Sequence, residues 1–136
     1  MKLAIPVSKG RVSTAFDFAR DALLLDYEDG REVSRTELVL KEEIPVNRAR
    51  RLESLGVRVL ICGAISRSLA EHLTSVGIDV IPFVSGTVEE VLAAYLAGEV
   101  ESAQFLMPGS TAEERKEWRV RRGARQPAAL AKEERS

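Results

Sequence analysis

The chain has 136 residues, 45% hydrophobic and 30% charged, with a formal net charge of −1. That describes one domain of ordinary size, without a global basic footprint for nucleic acid and without any apolar run near the roughly 18–20 residues a membrane span requires. One cysteine, Cys62, and one histidine, His72, exclude a disulfide within the chain, a structural zinc site and an iron–sulfur cluster ligated by this chain alone.

The opening "MKLAIPVSKG" lacks signal-peptide anatomy, so a cytoplasmic protein is expected. Lys2–Val7 is a short apolar run ended by Ser8-Lys9-Gly10 and predicts a buried strand. The following stretch, "RVSTAFDFAR" over Arg11–Arg20, is too long for a tight hairpin turn and is expected to be a loop. Where it flows into the second strand, Phe16 and Phe18 share a face and bury together, with Asp17 turned the other way. Leu23–Tyr27 predicts that second strand, and Asp29-Gly30 a hairpin turn. Val33–Leu40 alternates with period two and predicts a half-exposed third strand.

The period then becomes helical. Pro45 suits a first turn; Val46, Ala49, Leu52 and Leu55 follow as one stripe, and Gly56 ends it. Val57–Cys62 predicts the fourth strand. Ser66 is the expected N-cap of a helix carrying Leu69, Ala70, Leu73 and Val76, closed by Gly77. Ile78–Phe83 predicts the fifth strand. Thr87 with Glu90 three residues on reads as a capping box for a third helix closed by Gly98. With right-handed crossovers the predicted strands order 3-2-1-4-5. The expectation is an α/β fold, ribonuclease-H-like, a five-stranded mixed sheet with helices on its faces.

In such a sheet, ligands sit beyond the carboxyl ends of the parallel strands. Three segments should meet there: Ser8-Lys9-Gly10-Arg11, Cys62-Gly63-Ala64-Ile65-Ser66-Arg67, and Val84-Ser85-Gly86-Thr87. Two of them lead into helices, whose free N–H groups favour anions. Gly63 and Gly86 would let a ligand approach the backbone, and Lys9, Arg11 and Arg67 supply positive charge. The expected site is a shallow cleft for an anion. Cys62 reads as a soft ligand or as a small buried residue at a strand end, and His72 as a boundary residue away from the cleft.

The residues "MKLAIPVSKGRVS" with the "AF" that follows, "GVRVLICGAI", "GIDVIPFVSGTVEEVLAAYLAGEV" and "MPGS" resemble, in order and spacing over residues 1–109, the dinitrogenase iron–molybdenum cofactor biosynthesis accessory domains. The resemblance implies the ribonuclease-H-like fold and a non-enzymatic role in carrying or assembling metal–sulfur cofactors. The ligand would be a preformed anionic cluster of iron–molybdenum type, and the partner a cofactor-assembly or acceptor protein, with a homodimer also open. The family commonly reads Ser-x-His-Phe-Gly after the first strand. Ser13 and Phe16 keep that frame, but Ala15 stands in the histidine position and Asp17 in the glycine position. Some relatives carry cysteine after "MPG", where this chain has Ser110. A methyl group ligates no metal, so no residue is assigned as a direct metal ligand. The cofactor-binding set is Ser8, Lys9, Arg11, Ser13, Phe16, Cys62, Gly63, Ala64, Ser66, Arg67, Gly86 and Thr87.

No carboxylate lies in the first strand, which argues against two-metal nuclease chemistry. Residues 110–136 form a charged tail, with Thr111 and Glu114 capping a short helix to about Arg122 and a disordered remainder. Trp118 there is either a partner anchor or part of a helix folded back on the domain. The basic run Arg119, Arg121, Arg122 and Arg125 is diluted by Glu113, Glu114 and Glu117 and reads as solvated, so nucleic acid is not expected. The competing function is a protein–protein or regulatory module with a vestigial cleft.

Overall fold

The computed structural model describes residues 1–111 and 113–115. Strand β1 (Lys2–Ser8) runs through the middle of the sheet, and its sequence explains why: Leu3, Ala4 and Ile5 are all fully buried, so both faces are covered. On one side lies β3 (Asp21–Glu28), antiparallel, with Leu3 opposite Leu25 and Ile5 opposite Leu23. On the other lies β5 (Val57–Ile61), parallel, with Ala4 opposite Leu60. Pro6 falls beyond the end of that parallel ladder, where its missing N–H breaks no β1–β5 bond. Its carbonyl accepts from the Ser13 N–H at 2.8 Å.

The sheet continues outward with β4 (Arg31–Val39) beside β3 and β6 (Asp79–Ile81) beside β5, giving the order β4-β3-β1-β5-β6. This matches the expected mixed sheet and its order. The count does not match: among the described residues the sheet has six strands rather than five. The sixth, β2 (Arg11–Val12), pairs antiparallel with the end of β1, Val7 opposite Val12 and Ser8 opposite Arg11. Lys9 at φ 53° and Gly10 at φ 79° form a two-residue turn of the left-handed kind that hairpins favour. The chain therefore does turn tightly after β1, and a two-residue strand is too short to show a period.

Among the described residues three helices cover the sheet: α1 (Pro45–Ser54), α2 (Arg67–Ser75) and α3 (Val88–Ala97). Alternation along the strands splits the core into two layers. Ala4, Ala22, Leu60 and Val80 face Leu52 of α1 and Leu69 and Leu73 of α2. Leu3, Ile5, Leu25 and Ile61 face Val88, Val91 and Leu92 of α3, with Val100 and Phe105 completing that layer. Each fully buried leucine contributes about 1.5–3 kcal/mol to this separation. The β3–β4 hairpin turns at Asp29 and Gly30, both at positive φ, as the sequence predicts. Its outer strand is pinned to α3 by Arg35, which donates to Glu32 at 2.8 Å and to Glu89 at 2.7 Å. No described helix is long and apolar enough to cross a membrane.

Candidate functional site

The three expected segments do meet at one edge of the sheet. The Ala64 N–H donates to Thr14 O at 2.9 Å and the Phe16 N–H to Ala64 O at 2.8 Å. The Val12 N–H reaches Gly86 O at 3.0 Å, the Val88 N–H reaches Gly10 O at 3.0 Å, and the Phe83 N–H reaches Gly63 O at 2.9 Å. These contacts weave the segments into one another. A Cβ on Gly63 would lie 2.6 Å from Ser13 O and 2.8 Å from Thr14 O. The bare face of Gly63 is filled by the chain's own backbone, which explains the glycine without a ligand.

The opening loop is a 3₁₀ turn, Phe16–Phe18, rather than the start of a strand. With three residues per turn, positions two apart do not share a face. Phe16 is 0% exposed and Phe18 is 84% exposed, so the expectation that they bury together is corrected. Phe16 is held by Arg48 of α1. The buried Arg48 guanidinium donates to Phe16 O at 2.7 Å, to Ala19 O at 2.9 Å and to Glu42 O at 2.9 Å, and lies 5.3 Å from the Phe16 ring centroid. Burial pulls this guanidinium below its ordinary pKa, opposed by the negative charges of Asp17, Glu42 and Glu43. Arg48 was not among the sequence candidates, although it falls in register with Leu52 and Leu55 at i, i+4 and i+7.

Both helix N-termini carry internal acceptors, which corrects the picture of open anion sites. At α2, Asp17 Oδ1 accepts the Ser66 N–H at 2.7 Å, and Ser66 Oγ accepts the Leu69 N–H at 3.2 Å. At α3 the capping box is complete: Thr87 Oγ1 accepts from Glu90 N at 3.2 Å and Glu90 Oε1 from Thr87 N at 3.3 Å. Cys62 is 0% exposed and sits just past β5, and Ala64 and Ser66 are tied to the opening loop. Among the described residues no group of three His, Cys, Asp or Glu could hold a metal ion. What stays exposed at this edge is cationic and polar: Ser8, Lys9, Arg11 and Arg67, with Ser13 and Thr87 half-buried.

A concavity lies to the side, along α3. A groove of ≈ 670 Å³ is lined by Arg11, Ser85, Gly86, Glu90, the exposed Ala93 and Ala97, Ala94, Glu99, Gln104 and Phe105. It shares Arg11, Ser85 and Gly86 with the segments of the expected cleft. Its outer wall, residues 99–105, was expected to belong to the domain but not to a site. Near it, Phe83 takes φ 62°, rare for a bulky residue. Its carbonyl accepts the Met107 N–H at 2.8 Å and Arg115 Nη2 at 2.8 Å. Arg115 is 3% exposed and also donates from Nε to Pro82 O at 3.1 Å. The Thr111–Glu114 cap is present, with Glu114 N donating to Thr111 Oγ1 at 3.0 Å. A cation in that first turn opposes the helix dipole, and it is held by the Pro82 and Phe83 carbonyl acceptors instead. The expected helix end near Arg122, Trp118, and Arg119, Arg121, Arg122 and Arg125 lie outside the described residues.

The family profile described as dinitrogenase iron-molybdenum cofactor matches residues 1–98, from β1 through α3. The chain belongs to this family. No curated protein matches it. Three solved structures give the likeness in space. PH0822 is 24% identical, with a TM-score of 0.68, covering 74% of this chain and 94% of its own. The apo form of the orange protein of Desulfovibrio gigas is 22% identical, with a TM-score of 0.63, covering 77% and 94%. The Thermotoga protein TM1290, given as a candidate NifB protein of the DUF35 family, is 28% identical, with a TM-score of 0.56, covering 72% and 89%. At their identities the first two establish the fold and nothing more. The match to the iron–molybdenum cofactor family ends at Gly98, so the outer wall of the α3 groove and Arg115 lie beyond it.

Proposed function

We propose that this chain is a non-enzymatic binding domain on a ribonuclease-H-like fold that carries a preformed, anionic metal–sulfur cluster or helps assemble it. The cargo rests on the exposed edge formed by Ser8, Lys9, Arg11 and Arg67, beyond the carboxyl ends of β1 and β5. The observation that carries this reading is family membership over residues 1–98, and the location is argued from the exposed cationic side chains at that edge. The donor set fits a cluster held by charge and hydrogen bonds. It does not fit direct ligation, since Ala15 and Ser110 offer no soft or borderline ligand and Cys62 is buried. The receiving partner is a cofactor-assembly or acceptor protein.

A second reading, a protein–protein module whose cleft is vestigial, is favoured by one observation: carboxylates of the chain itself, Asp17 and Glu90, occupy the two helix N-termini. Anaerobic gel filtration after mixing with a tetrathiomolybdate-type cluster separates the two. Co-elution of molybdenum, lost when Lys9, Arg11 and Arg67 are all replaced by glutamate, supports the carrier. Clean separation of metal from protein supports the module and sinks the carrier reading.

A further inference from the structure

We infer that two copies of this chain pair through the outer edge of β4, antiparallel about a two-fold axis at Thr36, so that their sheets become one. This inference stands apart from the cluster reading and uses none of its residues. Strand β4 ends the sheet order, has nine residues, and exposes Arg31–Glu37 one after another. Among the described residues it pairs with β3 alone, and no backbone hydrogen bond reaches its other side. The opposite edge strand, β6, has only three residues. The direction of the backbone groups on β4 follows from one bond. The Leu40 N–H donates to Arg20 O at 2.7 Å, which continues the β3–β4 register beyond Asp21 and Val39. Inward and outward groups alternate along an antiparallel strand, so Ser34, Thr36 and Leu38 also turn theirs to β3. Arg35, Glu37 and Val39 therefore present N–H and C=O outward, as an open edge that a further strand can take up.

The sequence of β4 selects a second copy as that strand. Residues 34–38 keep unbroken register with β3, and Val33, the extra residue of a bulge, falls just outside them. With Thr36 opposite the partner's Thr36, Arg35 meets the partner's Glu37 and Glu37 meets the partner's Arg35. Each of these is a pair of outward-facing residues, so both exchange backbone hydrogen bonds. Thr–Thr and opposite-charge pairs are favoured cross-strand neighbours. One step out, Val33 meets the partner's Val39, two valines that stand 53% and 45% exposed in the single chain. Other symmetric registers fail. Centring on Arg35 or on Glu37 sets like charge on like, and centring on Ser34 runs the pairing through the bulge. Arg35 already holds Glu32 and Glu89, so the partner's Glu37 adds little attraction; the charges act by excluding wrong registers and wrong strands. An isologous pairing also covers two open edges at once, which a single extended peptide does not.

The test is sedentation of the full chain at rising concentration, by analytical ultracentrifugation up to about the millimolar range, because one strand edge is a small interface. Monomer should give way to dimer. Thr36 is exposed, so Thr36→Glu and Thr36→Lys leave the fold intact, which melting curves check. Each sets like charges face to face and should weaken the dimer about three- to thirtyfold in Kd, and an equimolar mixture of the two should recover it. Thr36→Cys places two thiols across the axis, where opposed residues that exchange no backbone bonds have Cα atoms about 4.5 Å apart, within disulfide reach. With oxidised glutathione as the oxidant it should cross-link, whereas Ser34→Cys, off the axis, should not. Cys62 is buried and stays out of the reaction. A chain that stays monomeric throughout overturns the proposal. So does a dimer indifferent to both charged variants, a mixture no better than either alone, or Ser34→Cys cross-linking as well as Thr36→Cys. Slow amide exchange at Arg35, Glu37 and Val39 in dilute monomer would make another segment of the same chain the occupant, and overturns it too.

Discussion

The Arg48 guanidinium lies over the Phe16 ring and at the same time donates to the Phe16 carbonyl at 2.7 Å. One cation thus fixes both the side chain and the backbone of the residue that seats the opening loop. Arg48→Met keeps the aliphatic stem but leaves the Ala19 carbonyl without its donor, at an expected cost of about 2–4 kcal/mol. Arg48→Lys, which reaches fewer acceptors, should lose less. Urea denaturation of the two variants measures the order, and equal losses would show that charge, not the fork of donors, holds the loop.

Phe16 and Phe18 are two residues apart and should behave as opposites. Phe16→Ala empties a fully buried site and should cost about 3–5 kcal/mol. Phe18→Ala removes an exposed ring and should stay within about 0.5 kcal/mol. Melting curves of both variants decide the point.

Gly63→Ala should destabilise strongly, by about 2 kcal/mol or more, because the new methyl meets backbone oxygens that cannot swing aside. Gly77→Ala, whose Cβ meets nothing within 4 Å, carries only the strain of φ 89°, about 1 kcal/mol. A Gly63→Ala midpoint at or above that of Gly77→Ala would contradict the close-approach account.

Asp17→Asn keeps an acceptor for the Ser66 N–H while removing the charge at the α2 N-terminus. Stability should fall by about 0.3–1 kcal/mol, the worth of an anion at that end of a helix. Binding of a thiomolybdate-type anion should rise at the same time, because a repelling carboxylate is gone. Gel filtration with metal analysis on both forms checks this, and unchanged metal retention would place the anion elsewhere.

Hydrogen bonds from Arg35 hold the Glu32 and Glu89 carboxyls below the ordinary carboxylate range. Depressed acids stabilise fully above their unfolded pKa, about 4.3, and the contribution is lost as pH falls through the lower folded value. Both carboxylates are exposed enough that the total is about 1 kcal/mol or less. Denaturation midpoints of wild type should therefore fall between about pH 5 and pH 3 more steeply than those of Arg35→Gln. Parallel curves would show that the staple contributes nothing.

The strand order and the three helices were legible because each long element carries its own period: Leu23–Tyr27 and Val57–Cys62 as apolar runs, Leu69-Ala70-Leu73 as a stripe, Thr87-Glu90 as a cap. Strand β2 was not, since Arg11 and Val12 become a strand only against Val7 and Ser8. The 3₁₀ turn at Phe16 was hidden for a similar reason, as its stabilising donor comes from Arg48, 32 positions away. Residues at the candidate edge were named correctly as neighbours, but their occupancy was not foreseeable. The Asp17–Ser66 bond spans 49 positions and has no local signature. Arg115 escaped notice because charged residues in a charged stretch give no burial signal.

Arg115 also bears on how far the packed domain reaches. The family profile stops at Gly98, but Val100 and Phe105 help fill one core layer and Arg115 donates to the carbonyls just past β6. A fragment cut at the limit of the profile would expose those apolar contacts and strip the Pro82 and Phe83 carbonyls of a donor. The profile and the packed core therefore have different borders among the described residues, and excising the domain for use in another protein should keep at least everything through Arg115.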